Sequence, residues 1–237
     1  QTFWRSQFNY GQLLQGYALQ KFLVNNGYCS YIIRFDSILS RMKELLILML
    51  KGKILSDFKQ KKLRKFDEFR NKYIKYSEKK YKFFRALKKN PPKADIYIVG
   101  SDQVWAYMRN RERRKAYLLS FGETSVKKIA YAASFGRDNL KDDIDDYRNA
   151  LKHFSYLGIR EKSGQSICTN LGFDASWVTD PVTLLSPDDW RGLKTSINLN
   201  SKNKNVFFYT LTNVQQNICY KELKDFLQET YSVYYTN

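Results

Sequence analysis

The sequence has little with which to hold a metal ion or to cross-link itself. It contains one histidine, His153, and three widely separated cysteines, Cys29, Cys168 and Cys219, with no CxxC pair. A zinc site of the usual kind needs several such ligands at close spacing. We therefore expect no metal site, and we expect the cysteines to be the reduced thiols of a cytoplasmic protein.

Long apolar runs are also missing. The longest runs from Leu45 to Leu50, between Lys43 and Lys51, and is far shorter than the roughly 18 apolar residues of a membrane span. It predicts a buried helix or a contact with a membrane surface. The N-terminus has no basic stretch followed by an apolar core, so no signal peptide is predicted. Because the chain opens on Gln1 without a methionine, we expect its start to be missing.

Acidic residues are outnumbered, and the imbalance lies mainly in one segment. The chain has 41 Lys and Arg against 23 Asp and Glu, and residues 41–93 hold 19 of the former and 5 of the latter. Helical periodicity within 57–73 predicts a helix with an apolar stripe. Three roles remain open for this basic segment: a solvated helix packed on a domain, a contact with anionic lipid headgroups, or nucleic-acid binding. No zinc finger, RNP sequence or KH-type GxxG is visible, so we expect no specific nucleic-acid partner.

Short apolar runs alternate with longer polar or helical segments along the chain. A helix is predicted over 10–26, where Asn26 and Gly27 stop it. Strands are predicted at 3–4, 29–35, 95–99, 128–133, 156–159 and 177–179. Runs that are apolar on both faces are typical of a parallel sheet covered by helices. The sequence therefore predicts an α/β, Rossmann-like fold.

The chain turns polar near residue 195 and then begins a second unit. We expect an N-terminal Rossmann-like domain over 1–190, with the basic helical segment 41–93 within it. A linker over 191–205 follows. A strand at 206–209, a helix over about 215–230 and a strand from Tyr231 would form an incomplete start of a second Rossmann-like domain, 206–237. We expect the chain to stop before that domain is complete.

Residues that follow the strands are the candidates for a site, because ligands bind beyond the carboxyl ends of strands in open parallel sheets. Asn9, Tyr10 and Gly11 lead into the first helix, whose N–H groups could receive an anion or a sugar hydroxyl. Asn9 as an ordinary N-cap fits equally well. The next strand is followed by Gly100, Ser101, Asp102, Gln103 and Trp105. A carboxylate and an amide beside an indole are typical of sugar recognition, although Asp102 as a simple cap is the alternative.

Three further strands are followed by polar or small residues. Ser134, Phe135 and Gly136 come after 128–133, Arg160 and Glu161 after 156–159, and Asp180 after 177–179. An arginine at this position can bind a carboxylate or a phosphate with two hydrogen bonds. An ion pair of Arg160 with Glu161 or Asp180 is equally compatible with the sequence. His153 lies near a helix end and is predicted to be a surface histidine rather than a catalytic acid or base.

Five motifs, in order, resemble those of polysaccharide pyruvyl transferases. They are Asn9-Tyr10-Gly11 with Leu14-Gln15 and Tyr17-Ala18-Leu19-Gln20, then GSDQVW at 100–105, YAASFG at 131–136, Arg160-Glu161 with Ser163-Gly164, and Asp180-Pro181 leading to Trp190. The chain departs from the family at Ala106, where an asparagine is frequent. The basic and histidine residues of the family's second half do not occur within this sequence.

The resemblance implies two Rossmann-like halves, similar to GT-B glycosyltransferases, with the site in the cleft between them. It implies transfer of pyruvate from phosphoenolpyruvate to a sugar of a surface polysaccharide as a ketal, without a cofactor. On this resemblance Asp102 would activate a hydroxyl or bind the sugar, Gln103 and Trp105 would orient the ring, and Arg160 would bind the anionic donor. The acceptor would be a saccharide or lipid-linked saccharide, met in the cytoplasm at the inner face of the membrane.

Two other functions remain open at this stage. The same architecture would serve a GT-B-like glycosyltransferase that uses a nucleotide sugar. The basic segment 41–93 is also compatible with a module that binds membranes or nucleic acid. The sequence gives no indication of the oligomeric state.

Overall fold

A computed structural model describes residues 9–38, 57–108, 110–140, 143–193, 205–209, 222, 225–226 and 232–236. The predicted strand at 3–4, the apolar run at 45–50 and most of the predicted linker lie outside these residues. Of the helix predicted over 215–230, Glu222, Asp225 and Phe226 are described, and they are helical. The chain divides into two compact units, Gln1–Asp189 and Trp190–Asn237.

The first helix, α1, spans Tyr10–Asn25, as its apolar periodicity predicts. Asn9 caps it, because its side-chain oxygen accepts a hydrogen bond from Gln12 N at 3.0 Å. Just beyond the helix, Gly27 has a φ of +83°, a left-handed conformation that closes helices and that glycine adopts without strain. The buried face of α1 mixes apolar and amide side chains, including Leu13 and Gln15.

Parallel strands form both sheets of the first unit. β1 (Ile32–Phe35) pairs with β2 (Tyr76–Tyr81). The second sheet has the order β3 (Ile96–Val99), β4 (Lys127–Ala133), β5 (Tyr156–Ile159) and β6 (Ser176–Trp177), and each pair of neighbours is parallel. The predicted α/β fold with a Rossmann-like parallel sheet is confirmed.

Helices connect and follow the strands of the first unit, and the last of them ends two residues beyond Asp189, where that unit ends. They are α2 (Asp57–Tyr73), α3 (Phe84–Lys89), α4 (Arg111–Tyr117), α5 (Ile144–Leu151), α6 (Lys162–Asn170), a 3-10 helix (Pro181–Leu184) and α7 (Pro187–Arg191). The core beneath them is apolar and fully covered at Val99, Ala130 and Ile159. No helix in the described part of the chain is long and apolar enough to cross a bilayer.

The basic segment is not helical throughout, which corrects the prediction for 41–93. α2 is present, but residues 76–81 form the strand β2. This strand lacks the usual alternation of apolar and polar residues. Three consecutive charged residues, Glu78, Lys79 and Lys80, are exposed, and only Ser77 and Tyr81 are buried. The partner strand selects the conformation: Arg34 N donates to Ser77 Oγ at 3.0 Å, and Arg34 Nε donates to Ser77 O at 2.8 Å.

Within the second unit, two parallel strands are described. β7 (Asn205–Tyr209) pairs with β8 (Ser232–Thr236) in a register that runs from Asn205 opposite Ser232 to Tyr209 opposite Thr236. The sequence predicts the first strand from Val206 and the second from Tyr231, so each begins within one residue of its predicted position.

Candidate functional site

The carboxyl ends of three strands gather a group of charged and polar side chains. Ser101 and Asp102 follow β3, Arg160 and Glu161 follow β5, and Asp180 follows β6. Because the strands are parallel and neighbouring, their carboxyl ends lie at one edge of the sheet. We call these five residues the carboxyl-edge cluster.

Arg160 is the centre of this cluster. Its Nε lies 2.9 Å from Glu161 Oε1, its Nη1 lies 3.3 Å from Asp180 Oδ2, and its Nη2 lies 3.8 Å from Asp102 Oδ1. Burial alone would lower the pKa of Arg160, but the hydrogen bond and charge of Glu161 and the charges of Asp102 and Asp180 raise it above its ordinary value. The ion pair that the sequence left open is therefore present, with three carboxylates on one guanidinium.

Ser101 joins the strand ends through short polar contacts. It is fully buried, and its Oγ lies 3.0 Å from both Ala132 O and Asp180 Oδ2, so that its single proton serves one of them at a time. Arg160 Nη1 donates to the same Oγ at 3.5 Å. The hydroxyl thus ties the end of β4 to the carboxylate that follows β6.

Gln15 is a member of the site that the sequence reasoning missed. Its side chain is buried on α1, and its Oε1 accepts a hydrogen bond from Ser101 N at 2.8 Å. Its Nε2 donates to Gln12 O at 3.1 Å within the helix. An amide among the apolar residues of the buried helix face was the signal, since a buried amide needs polar partners. Gln15 therefore fixes the loop that carries Ser101 and Asp102.

The family model for polysaccharide pyruvyl transferases matches residues 9–237. The chain belongs to the polysaccharide pyruvyl transferase family. No curated protein and no solved structure matches it. The resemblance of the five motifs is confirmed, and three of those motifs supply the carboxyl-edge cluster of this family member.

The loop that carries Asp102 is braced by the loop after β4. Asp102 has a φ of +76°, and its carbonyl accepts hydrogen bonds from Val104 N at 2.6 Å and Ser134 N at 3.0 Å. Trp105 N donates to Ser134 O at 3.0 Å. These backbone bonds hold the two family motifs GSDQVW and YAASFG together, so the Asp102 carboxylate projects from a fixed turn.

Trp105 and Phe135 lie in the core and not at the surface of the site. They are 1% and 0% exposed, their rings are 5.2 Å apart, and Trp105 Nε1 donates to Tyr117 O at 3.1 Å. In this family member, therefore, the indole of the GSDQVW motif packs in the core beneath the loop and is not available to a ligand. Gln103 from the same motif is exposed, as is Gly136.

A different indole is exposed at the carboxyl edge. Trp177, the last residue of β6, is 57% exposed, and its Nε1 donates to Arg160 O at 2.9 Å. Lys162 Nζ lies 4.9 Å from the centre of its ring. The sequence reasoning used this residue only as part of a strand. Its exposure follows from its place at the open end of the outermost strand.

The remaining predicted residues have structural partners. Asn9 is the N-cap of α1 and Tyr10 packs on Phe66 with ring centres 4.8 Å apart. Ser134 is buried and its Oγ accepts from Gly136 N at 3.0 Å. His153 is exposed, as the sequence predicts.

Thiol chemistry and metal ligation find little support in the described part of the chain. Cys168 is buried, and that burial raises the pKa of its thiol to about 12, which keeps it protonated and unreactive. Cys29 is exposed. No group of three or more His, Cys, Asp or Glu among the residues described here could hold a metal ion.

Proposed function

We propose that the protein transfers pyruvate from phosphoenolpyruvate to two hydroxyls of one sugar in a surface saccharide or lipid-linked saccharide. The observation that carries this proposal is the carboxyl-edge cluster, in which three carboxylates meet one arginine beside an exposed indole. Carboxylates accept hydrogen bonds from sugar hydroxyls and can take up their protons. Membership of the family supplies the class of reaction.

The proposed reaction joins one pyruvyl carbon to two sugar oxygens. The enol methylene of the donor gains a proton and becomes a methyl group, which leaves a cation-like centre at the neighbouring carbon. One hydroxyl oxygen attacks that centre, the bond to the phosphate oxygen breaks, and the second hydroxyl oxygen closes the ketal. Two hydroxyl protons are released, one replaces the proton given to the methylene, and the other leaves with phosphate. No metal ion or organic cofactor is part of this proposal.

Asp102 is the residue that we propose as the base for an acceptor hydroxyl. Its side chain is 20% exposed, so a ligand can reach it, and its backbone turn is fixed by Ser134. Ser101 and Gln15 hold the loop from inside the protein. We propose that Trp177, which replaces Trp105 in this role, offers its exposed ring to a sugar, since aromatic faces pack well against the apolar side of a sugar ring.

The reaction is tested with the purified protein. We expect incubation with phosphoenolpyruvate and a saccharide acceptor to release inorganic phosphate in an acceptor-dependent way and to give a new ketal methyl signal by NMR. Release of a nucleotide from a nucleotide sugar, with no phosphate from phosphoenolpyruvate, would favour the GT-B-like glycosyltransferase instead.

The division into a domain over 1–190, a linker and a second domain from 206 stays a prediction.

The role of Arg160 as an anion ligand also stays a prediction, and its contacts favour the ion-pair role. We expect Arg160→Lys to lower the free energy of unfolding by about 1–2 kcal/mol, because an ammonium cannot contact three partly exposed carboxylates as the planar guanidinium does. The affinity for phosphoenolpyruvate should remain within about threefold, because the positive charge is kept. Chemical denaturation and calorimetric titration measure the two quantities. Weaker donor binding by tenfold or more, with stability preserved, would show that Arg160 binds the donor.

We also propose that the protein contacts anionic membrane surfaces through one basic face, which would place it at the cytoplasmic side of a membrane. Phe83, between β2 and α3, is 47% exposed. Exposed basic side chains surround it in sequence: Lys79, Lys80, Lys82, Arg85, Lys88, Lys89 and Lys93. Each such charge contributes about 1 kcal/mol near an anionic lipid surface, and an exposed ring can enter the headgroup region.

Neutralising this face should release the protein from vesicles. We expect the change of Lys82, Arg85, Lys88 and Lys89 to Gln to weaken binding to phosphatidylserine vesicles by more than tenfold in a sedimentation assay. The matched control changes three lysines and one arginine elsewhere, namely Lys115, Lys127, Arg148 and Lys152, all of them exposed. Equal losses in the two variants would mean that net charge, and not this face, governs the binding.

A further inference from the structure

One half-buried arginine in the loop after β4 has unused hydrogen-bond donors. Arg137 follows Gly136 directly, in the loop after β4. Its Nε and Nη2 atoms are buried and have no hydrogen-bond partner among the described residues. Leaving a charged donor buried and unpaired is unfavourable, so a partner of opposite charge is expected at these atoms.

The neighbours of Arg137 do not supply that charge. Tyr147 is buried, and the pKa of its phenol is raised by burial although the charge and hydrogen bond of Arg137 act to lower it. The phenol therefore stays neutral, and its Oη donates to Trp105 O at 2.7 Å. Asp143, whose charge also acts on Tyr147, forms an ion pair with Arg114, and so does Asp146. The guanidinium of Arg137 is thus close to polar groups that are already engaged.

The position of Arg137 connects it to the carboxyl-edge cluster. The preceding residue, Gly136, has a φ of +60°, and a Cβ added there would lie 2.9 Å from Gln103 Cδ. Gln103 itself follows Asp102 in the chain, so the loop of Arg137 meets the loop of Asp102 at this contact. The cluster holds three carboxylates against one guanidinium, and an anionic substrate at this edge needs a further cation.

We propose that Arg137 binds an anionic group of the substrate, a phosphate or a carboxylate, through Nε and Nη2. These two N–H groups lie on one side of a planar guanidinium and match two oxygens of such an anion. The anion site is inferred from these two unpaired donors, whereas its assignment to phosphoenolpyruvate rests on the proposed function. The carboxylates of the cluster would then face the hydroxyls of the acceptor, and Arg137 would face the donor.

The test measures anion binding and stability in the full chain. Inorganic phosphate, pyruvate and phosphoenolpyruvate are titrated separately at constant ionic strength, so that the arms distinguish a phosphate from a carboxylate site. We expect Arg137→Met to weaken binding of at least one of them by tenfold or more. Without ligand, its melting temperature should equal or exceed that of the wild type, because two buried unpaired donors have been replaced by an apolar side chain of similar length.

The matched control is Arg148→Met, on α5, where the arginine is exposed and lies 3.2 Å from Asp145. It should change neither anion affinity nor the ligand-induced shift in melting temperature. If the Arg137→Met protein does not fold, Arg137→Gln, which keeps a polar donor, decides the question in the same titrations.

Two results would overturn the proposal: no binding of any of the three anions by the wild type, or wild-type affinities in the Arg137 variants, with or without a fall in their stability. If the Arg137 variants keep pyruvyl transfer and normal donor affinity, the anion site at Arg137 is refuted and the proposed function is kept. If anion binding depends on Arg137 but the protein transfers no pyruvate, the anion site is kept and the proposed function is refuted.

Discussion

We expect Asp102→Asn to abolish the proposed pyruvyl transfer and to leave the fold intact. Asparagine has the same shape and, like aspartate, tolerates the left-handed backbone of this position, where φ is +76°. The variant loses the negative charge that a base for the acceptor hydroxyl requires, so we expect turnover to fall by about 10²-fold or more. Arg160 keeps Glu161 and Asp180 as partners, which limits the effect on stability.

The matched control for this experiment is Asp145→Asn. Asp145 lies on α5, and its side chain is 88% exposed, so the same chemical change there should affect neither turnover nor melting temperature. Turnover is measured as phosphate released in the presence of acceptor, and folding is measured by thermal unfolding. Normal melting together with near wild-type turnover for Asp102→Asn would show that this carboxylate has only a structural role.

Gly100→Ala prevents the first unit from folding stably. The residue has a φ of +135°, and an added Cβ would overlap Tyr131 O on the backbone of β4. A central strand cannot move aside without breaking its pairing with both neighbours, β3 and β5. The strained backbone conformation adds a further penalty. We expect a loss of about 3 kcal/mol or more in the free energy of unfolding, which would appear as insoluble protein or a large fall in the denaturation midpoint.

Gly172→Ala separates the two causes of this loss. Gly172 also has a positive φ, +90°, but an added Cβ would meet nothing within 4 Å. The control therefore carries only the conformational penalty, about 1 kcal/mol. If both alanine variants were destabilised to the same extent, the close approach of Gly100 to β4 would not be the reason for the glycine.

The same glycine illustrates how far the sequence leads towards the site. Its position after an apolar strand, in the GSDQVW motif, marked it as a candidate for substrate binding. The structure places it against β4 and leaves the neighbouring Asp102 carboxylate partly exposed. A glycine in a motif can thus be needed for close packing, which positions the neighbouring side chain, rather than for binding substrate. The sequence alone does not distinguish these two roles.

Local pattern determined most of the fold and much of the site. Apolar runs of four or five residues, 96–99, 129–133 and 156–159, form β3, most of β4, and β5, because a strand covered on both faces is mainly apolar. The ends of these runs then located Asp102 and Arg160, since parallel strands present their carboxyl ends at one edge. The ordered motifs identified the family, because they are read directly from the residues.

Tertiary structure decided the contacts between residues that are far apart in the sequence, which a local sequence pattern cannot specify. Arg160 meets carboxylates that lie 58 and 20 residues away, at Asp102 and Asp180, and no local rule selects such partners. Trp105 is buried and Trp177 exposed because one lies beneath a loop and the other at the end of an outer strand. β2 exists because β1 satisfies its backbone hydrogen bonds, although three consecutive charged residues disguise it. In each case the deciding interaction joins distant parts of the chain, and its energy appears only once the fold has brought them together.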